Sequence, residues 1–362
     1  MVSSIRKRMI SQKIIGLLIA AFIITIMGCS DQKSKTLYET GLFEEKQFNT
    51  DHARLLYEEI IKKYPDTPFA QKAKKRLAII NQAESSPETG TTYISKGGGN
   101  MSDNDTPKYA LFDHPDITMH LFHPRENDTR DDDQFTIAVE DKVVIGAKLH
   151  LAGKNAPTIL FFHGNGEIVS DYDDLGPIFT REGINLMIAD YRGYGQSTGT
   201  PRVSSMIRDA HQVFAYTANM LKTEQFTGPL IVMGRSLGSA SALELSASYP
   251  DRIDGLIIES GFAHAVPLLK LLGVPGSLLT MREEEGFDHI AKIKRYTGPT
   301  LIIHAEHDHI IPFSDGRALY DASGSPRKSF LPIPQANHNT IFAYGMTPYL
   351  EAINTMIKTL TP

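Results

Sequence analysis

The chain is poor in cysteine, in charge of one sign and in long apolar runs. One cysteine in 362 residues rules out an internal disulfide framework. Lys and Arg number 37 against 42 Asp and Glu, so there is no basic excess to attract nucleic acid. The apolar run from Ile14 to Met27 is short for a membrane-spanning helix. It has the length of a signal-peptide core, and Arg6-Lys7-Arg8 and Lys13 precede it.

Glycine and serine are plentiful, and two stretches read Gly-x-Ser-x-Gly: Gly195-Gln196-Ser197-Thr198-Gly199 and Gly234-Arg235-Ser236-Leu237-Gly238. A nucleophile elbow turns directly from a buried strand into a helix, so an apolar run must precede it and helix formers must follow. Only the Ser236 copy has both. Pro229 to Met233 reads as a strand buried on both faces, and Ser239 to Leu245 continues as a helix. At Ser197, Tyr191 to Gly195 intervene after the preceding strand and Thr200-Pro201 follows, which reads as a glycine-rich loop.

A serine hydroxyl needs a histidine to take its proton and an acid to orient that histidine, and on this scaffold the chain order is Ser, acid, His. Asp308 lies just past the strand-like run Pro299 to His304, with Glu306 as the alternative acid. His338 follows the last strand-like run, Ser329 to Ile333, ahead of a C-terminal amphipathic helix. Backbone N–H groups of Leu237 and of Asn165, the latter in the turn after Thr158 to Phe162, are the expected oxyanion donors. His163 precedes the serine and is read as fixing that turn. Glu167, Asp171 and Asp173 could face a cationic substrate group or begin a helix in solvent. The cluster His304, Glu306, His307, Asp308 and His309 has metal-ligating side chains, but on an extended segment Asp308 points away from His307 and His309. No metal is expected.

With these residues in hand, the chain resembles the α/β-hydrolase superfamily, in its branch of serine aminopeptidase-like and monoacylglycerol lipase-like esterases and thioesterases. The matching stretches are His163-Gly164-Asn165-Gly166, Asp190 to Ser197, Gly234 to Gly238, Asp308 to Pro312 and Asn337-His338-Asn339. The resemblance implies an α/β fold, an eight-stranded, mostly parallel sheet flanked by helices, and no metal or organic cofactor. Gln335-Ala336-Asn337 stands where relatives often carry glycines. The insert after Glu259-Ser260-Gly261, the family's lid position, is small and implies an open pocket.

At the front, Cys29 in Ile26-Met27-Gly28-Cys29-Ser30 resembles a bacterial lipoprotein cleavage box, so residues 1–28 are expected to be a signal peptide and Cys29 a lipidation site. The mature protein would be exported and anchored to a membrane, in the periplasm or at the outer membrane. Residues 29–85 resemble a tetratricopeptide helix pair, with Ala53, Leu56, Tyr57, Ile60 and Ile61 facing Ala70, Ala73, Leu77 and Ile80. That pair is a stalk, a packing element or a docking element for a protein partner. Residues 86–108 read as a flexible linker and 109–362 as the hydrolase domain. The expected activity is hydrolysis of an ester or thioester through an acyl-enzyme on Ser236. A serine peptidase on the same triad is the alternative enzyme, and a non-catalytic scaffold or binding lipoprotein is the alternative of another class.

Overall fold

The computed structural model describes residues 50–85, 109–126 and 133–360, with short stretches between 33 and 42. The expected leader, Cys29 and the linker 86–108 lie outside the described residues. The chain divides into two compact units, Met1–Asn100 and Met101–Pro362.

In the first unit, Ala53, Tyr57 and Ile60 recur at helical spacing on Thr50–Lys63, and Ala70, Ala73 and Ile80 on Pro68–Ser85; all six are buried against one another. The turn between the helices is closed by Thr67, whose hydroxyl donates to Tyr64 O at 2.9 Å and accepts from Ala70 N, with Pro68 at the first helical position.

The second unit is built on one eight-stranded sheet of order β1-β2-β4-β3-β5-β6-β7-β8. The strands are β1 (Phe135–Glu140), β2 (Val143–His150), β3 (Thr158–Phe162), β4 (Asn185–Ala189), β5 (Leu230–Arg235), β6 (Gly255–Glu259), β7 (Thr300–Ala305) and β8 (Lys328–Ile333). β2 runs antiparallel to both neighbours, and every other pairing is parallel. Because β3 to β7 are buried on both faces, they read as continuous apolar runs. Their side chains alternate between two cores. Leu160, Phe162, Val232, Leu256, Ile258 and Ile302 join the core beneath helices Val203–Thr223 and Ser239–Ser248. Ile159, Phe161, Ile231, Met233, Ile257, Leu301 and Ile303 join the core beneath Gly176–Arg181 and Ile341–Lys358.

Residues 109–126 form an arm ahead of the sheet that no local pattern in the sequence marks. Its helix Pro115–Leu121 packs on the lid helix Ala265–Leu271. Its start is latched by Tyr109, whose hydroxyl donates to Glu244 at 2.9 Å and accepts from the buried Lys292 at 2.8 Å. No helix among the described residues is long and apolar enough to cross a membrane.

Candidate active site

β5 ends at Arg235, and the chain turns through Ser236 into the helix Ser239–Ser248. Ser236 has φ +51°, a left-handed conformation that a residue with a Cβ rarely adopts. The flanking glycines allow close approach: a Cβ on Gly234 would lie 2.3 Å from Gly238 O, and one on Gly238 2.0 Å from Phe162 O. The elbow is thereby pressed against the end of β3, where the turn containing Asn165 begins. Ser197 lies elsewhere, in the loop after β4, where its hydroxyl accepts from Gly146 N of β2 at 2.9 Å.

Asp308 and His338 come from the loops after β7 and β8 and meet at the carboxyl edge of the sheet. Asp308 Oδ2 accepts from His338 Nδ1 at 2.7 Å, while Oδ1 accepts from Ile310 N and Ile311 N at 3.0 and 2.8 Å. Burial opposes the charge on this carboxylate, yet the His338 imidazole and these donors hold it well below the ordinary range. A carboxylate only accepts, so Nδ1 carries the proton and the neutral ring keeps its lone pair on Nε2. Glu306 is exposed. His304 is committed to Ile311 O at 2.9 Å, with the same Asp308 oxygen 3.5 Å away. Among the described residues no three His, Cys, Asp or Glu side chains are grouped to hold a metal ion.

His163 is fully buried. Nδ1 lies 2.8 Å from Gly164 O and Nε2 3.2 Å from Asp190 Oδ1. Both partners are acceptors, so both nitrogens donate; burial opposes that charge, but Asp190 keeps the imidazole protonated above its ordinary range. Asn165 is anchored through Oδ1, which accepts from Tyr194 OH at 2.7 Å and from His123 N, on the arm, at 3.0 Å.

Glu167 requires a correction. It does not face a substrate, because it is buried and both its oxygens are engaged: Oε1 with Arg235 Nε at 2.8 Å, Oε2 with Gly164 N at 2.6 Å and Tyr172 OH at 2.5 Å. Its neighbours in the acidic turn resemble solvated residues, and its partner on β5 is distant in sequence. Asp171 is exposed, caps its own turn by accepting from Ile168 N at 3.0 Å, and pairs with Arg125 of the arm. Asp173 pairs with Lys148 at 2.8 Å.

Arg235 and Glu259 belong to the site although no motif in the sequence gives either a role. They are register partners at the ends of β5 and β6, both buried, with Nη1 and Oε1 3.0 Å apart. Nη2 of Arg235 donates to the carbonyl of His338 at 3.0 Å, bringing the histidine loop to the elbow. The signal for both was a charged residue closing an apolar run, on the same alternation as Ile231, Met233 and Ile257.

The family model described as serine aminopeptidase, S33, matches residues 153–280. Protein bem46 of Schizosaccharomyces pombe is 29% identical over 218 residues, covering 57% of this chain and 71% of that protein. The human alpha/beta hydrolase domain-containing protein 17B is 31% identical over 207 residues, covering 56% of this chain and 66% of its own. The chain belongs to the α/β-hydrolase superfamily. An esterase of Pyrococcus furiosus superposes with a TM-score of 0.52 at 15% identity, over 65% of this chain and 98% of the esterase, which is a likeness of fold. Within this superfamily its matched segment is of the serine aminopeptidase type.

Proposed function

We propose that the second unit is a serine hydrolase that cleaves a carboxylic ester or thioester of a small molecule. Ser236 Oγ attacks the carbonyl carbon while His338 Nε2 takes the hydroxyl proton, with Asp308 fixing the ring and stabilising the imidazolium. The N–H groups of Leu237 and Asn165 receive the negative oxygen of the tetrahedral intermediate. Its collapse breaks the bond to the leaving alcohol or thiol, which takes the proton back from His338. Water, deprotonated by the same nitrogen, then releases the acid and restores Ser236. The observation that carries this reading is the contact between Arg235 Nη2 and the His338 carbonyl. It joins the base loop to the residue next to a left-handed serine, while Asp308 orients the same histidine.

The test is labelling of the purified full-length chain by a fluorophosphonate probe, beside Ser236→Ala and Ser197→Ala. Labelling lost in Ser236→Ala alone is expected; a folded wild type that takes up no label overturns the reading. The match to a serine aminopeptidase family favours an amide substrate as the second reading. Comparing p-nitrophenyl acyl esters with aminoacyl amides decides between them, since fold and triad do not. Lipid anchoring at Cys29 is a further part of the proposal. Cys29→Ser should move the protein out of the membrane fraction, and unchanged fractionation would remove the anchor.

A further inference from the structure

We infer that Arg235 is a positioning residue, whose buried guanidinium locks the turn carrying Asn165 and the loop carrying His338 onto the serine elbow as one unit. This rests on the serine-hydrolase reading and concerns residues that act through the triad rather than on substrate. All three guanidinium nitrogens are used in different directions. Nε holds Glu167, Nη1 holds Glu259 and Nη2 holds the His338 carbonyl. Each carboxylate passes the constraint on. Glu167 Oε2 grips Gly164 N, one residue before Asn165, and Tyr172 OH; Glu259 Oε2 accepts from Tyr349 OH at 2.6 Å, on the C-terminal helix.

The geometry follows from strand alternation. Arg235 and Glu259 extend the face that carries Ile231, Met233 and Ile257, and Tyr172 and Tyr349 belong to the core on that same face. Ser236, the next residue, is thus held from beneath by a side chain that cannot shift without moving both neighbouring loops. The histidine loop has its own local ties. Asn337 N donates to Thr340 Oγ1 at 2.9 Å, and His307 N to Ala336 O at 2.9 Å. Those contacts shape the loop and join it to the segment after β7, while Arg235 joins it to the elbow. A planar, three-way donor suits the task because a lysine ammonium keeps the charge but cannot span three acceptors in a fixed plane.

The test uses the full chain as wild type, Arg235→Lys and Tyr349→Phe, the last removing one donor from Glu259 and no charge. Circular dichroism establishes folding, ester hydrolysis gives kcat and KM, and proton NMR follows the His338 Nδ1–H resonance, assigned by its absence in His338→Gln. Folded Arg235→Lys is expected to lose about tenfold or more in kcat with KM within about twofold. Its Nδ1–H signal should move upfield and exchange faster with water. Tyr349→Phe should show the same signature at about threefold in kcat. Variants that melt lower but keep wild-type kcat and an unchanged His338 signal would reduce Arg235 to a structural ion pair and overturn the inference. If Arg235→Lys does not fold, Tyr349→Phe and Tyr172→Phe decide on the same two readouts. Should the wild type hydrolyse nothing and take up no fluorophosphonate, the functional reading fails, while the resonance still reports whether Arg235 holds the histidine.

Discussion

The two Gly-x-Ser-x-Gly stretches put the left-handed backbone on different residues. At Ser197 the glycines adopt the left-handed conformations, Gly195 at φ +55° and Gly199 at φ +83°, and the serine between them ties the loop to β2. At Ser236 the serine itself is left-handed, and its glycines are needed for close approach to Gly238 O and Phe162 O. A glycine with positive φ costs little, whereas a serine there stores strain that the surrounding fold must hold. The same pattern of letters therefore describes a loop in one place and an elbow in the other. A parallel contrast separates the two buried Asp–His pairs. Asp190 and Gly164 O occupy both nitrogens of His163, while Asp308 occupies only Nδ1 of His338.

The largest expected effect that breaks this comparison is on activity. Ser236→Ala and His338→Ala should each lower ester kcat by at least about 10³-fold while melting near the wild type. Ser197→Ala should keep kcat within about twofold and lose about 1 kcal/mol of stability with its bond from Gly146 N. A Ser197→Ala variant as inactive as Ser236→Ala would dissolve the distinction. His163→Ala comes next and reverses the pattern. It leaves Asp190 buried without its charge partner, so chemical denaturation should report a loss of about 3 kcal/mol.

Much of this contrast was legible in the chain because it depends on flanking residues. Continuous apolar runs marked β3, β5 and β7, and the direct passage from Met233 through Gly234 to Ser236 separated the elbow from the loop. Asp308 and His338 followed from chain order. What was not legible lies in contacts between distant segments. Nothing local in Tyr109 to Glu126 announces an arm whose anchors, Glu244, Lys292 and Asn165, come from elsewhere in the fold. Arg235 was hidden for a different reason: inside Gly-x-Ser-x-Gly its position is free to vary, and its meaning appears only when β6 brings Glu259 into register.

His289 sharpens the histidine comparison through pH. It is buried like His163, but its Nδ1 partner is the Phe262 carbonyl at 2.7 Å. Burial, with Lys292 nearby, lowers its pKa to about 3, whereas the pKa of His163 is raised. The two signs oppose each other. His289 is neutral when folded, so the unfolded chain binds more protons between the ordinary histidine value and about 3, and stability falls as pH drops through that window. One such group contributes a slope of about 1.4 kcal/mol per pH unit. His163 contributes stability that is full below the ordinary histidine value and is lost as pH rises through its raised folded value. Melting curves from pH 4 to 6.5 should therefore be flatter in His289→Gln than in the wild type. An equal slope in both would show that His289 is not held neutral.

The smallest effect tests the strain directly. If φ +51° at Ser236 is costly for a side chain, Ser236→Gly should be more stable than Ser236→Ala by about 0.5–1 kcal/mol, because relief of left-handed strain outweighs the added freedom of glycine in the unfolded chain. Ser197 is not among the residues with positive φ, so Ser197→Gly should be no more stable than Ser197→Ala and should lose a further fraction of a kcal/mol to backbone entropy. Thermal melts of these four variants read the sign of the glycine–alanine difference at each site. Opposite signs locate the strain on the elbow serine alone; the same sign at both would show that the left-handed φ at Ser236 carries no cost above that of an ordinary position.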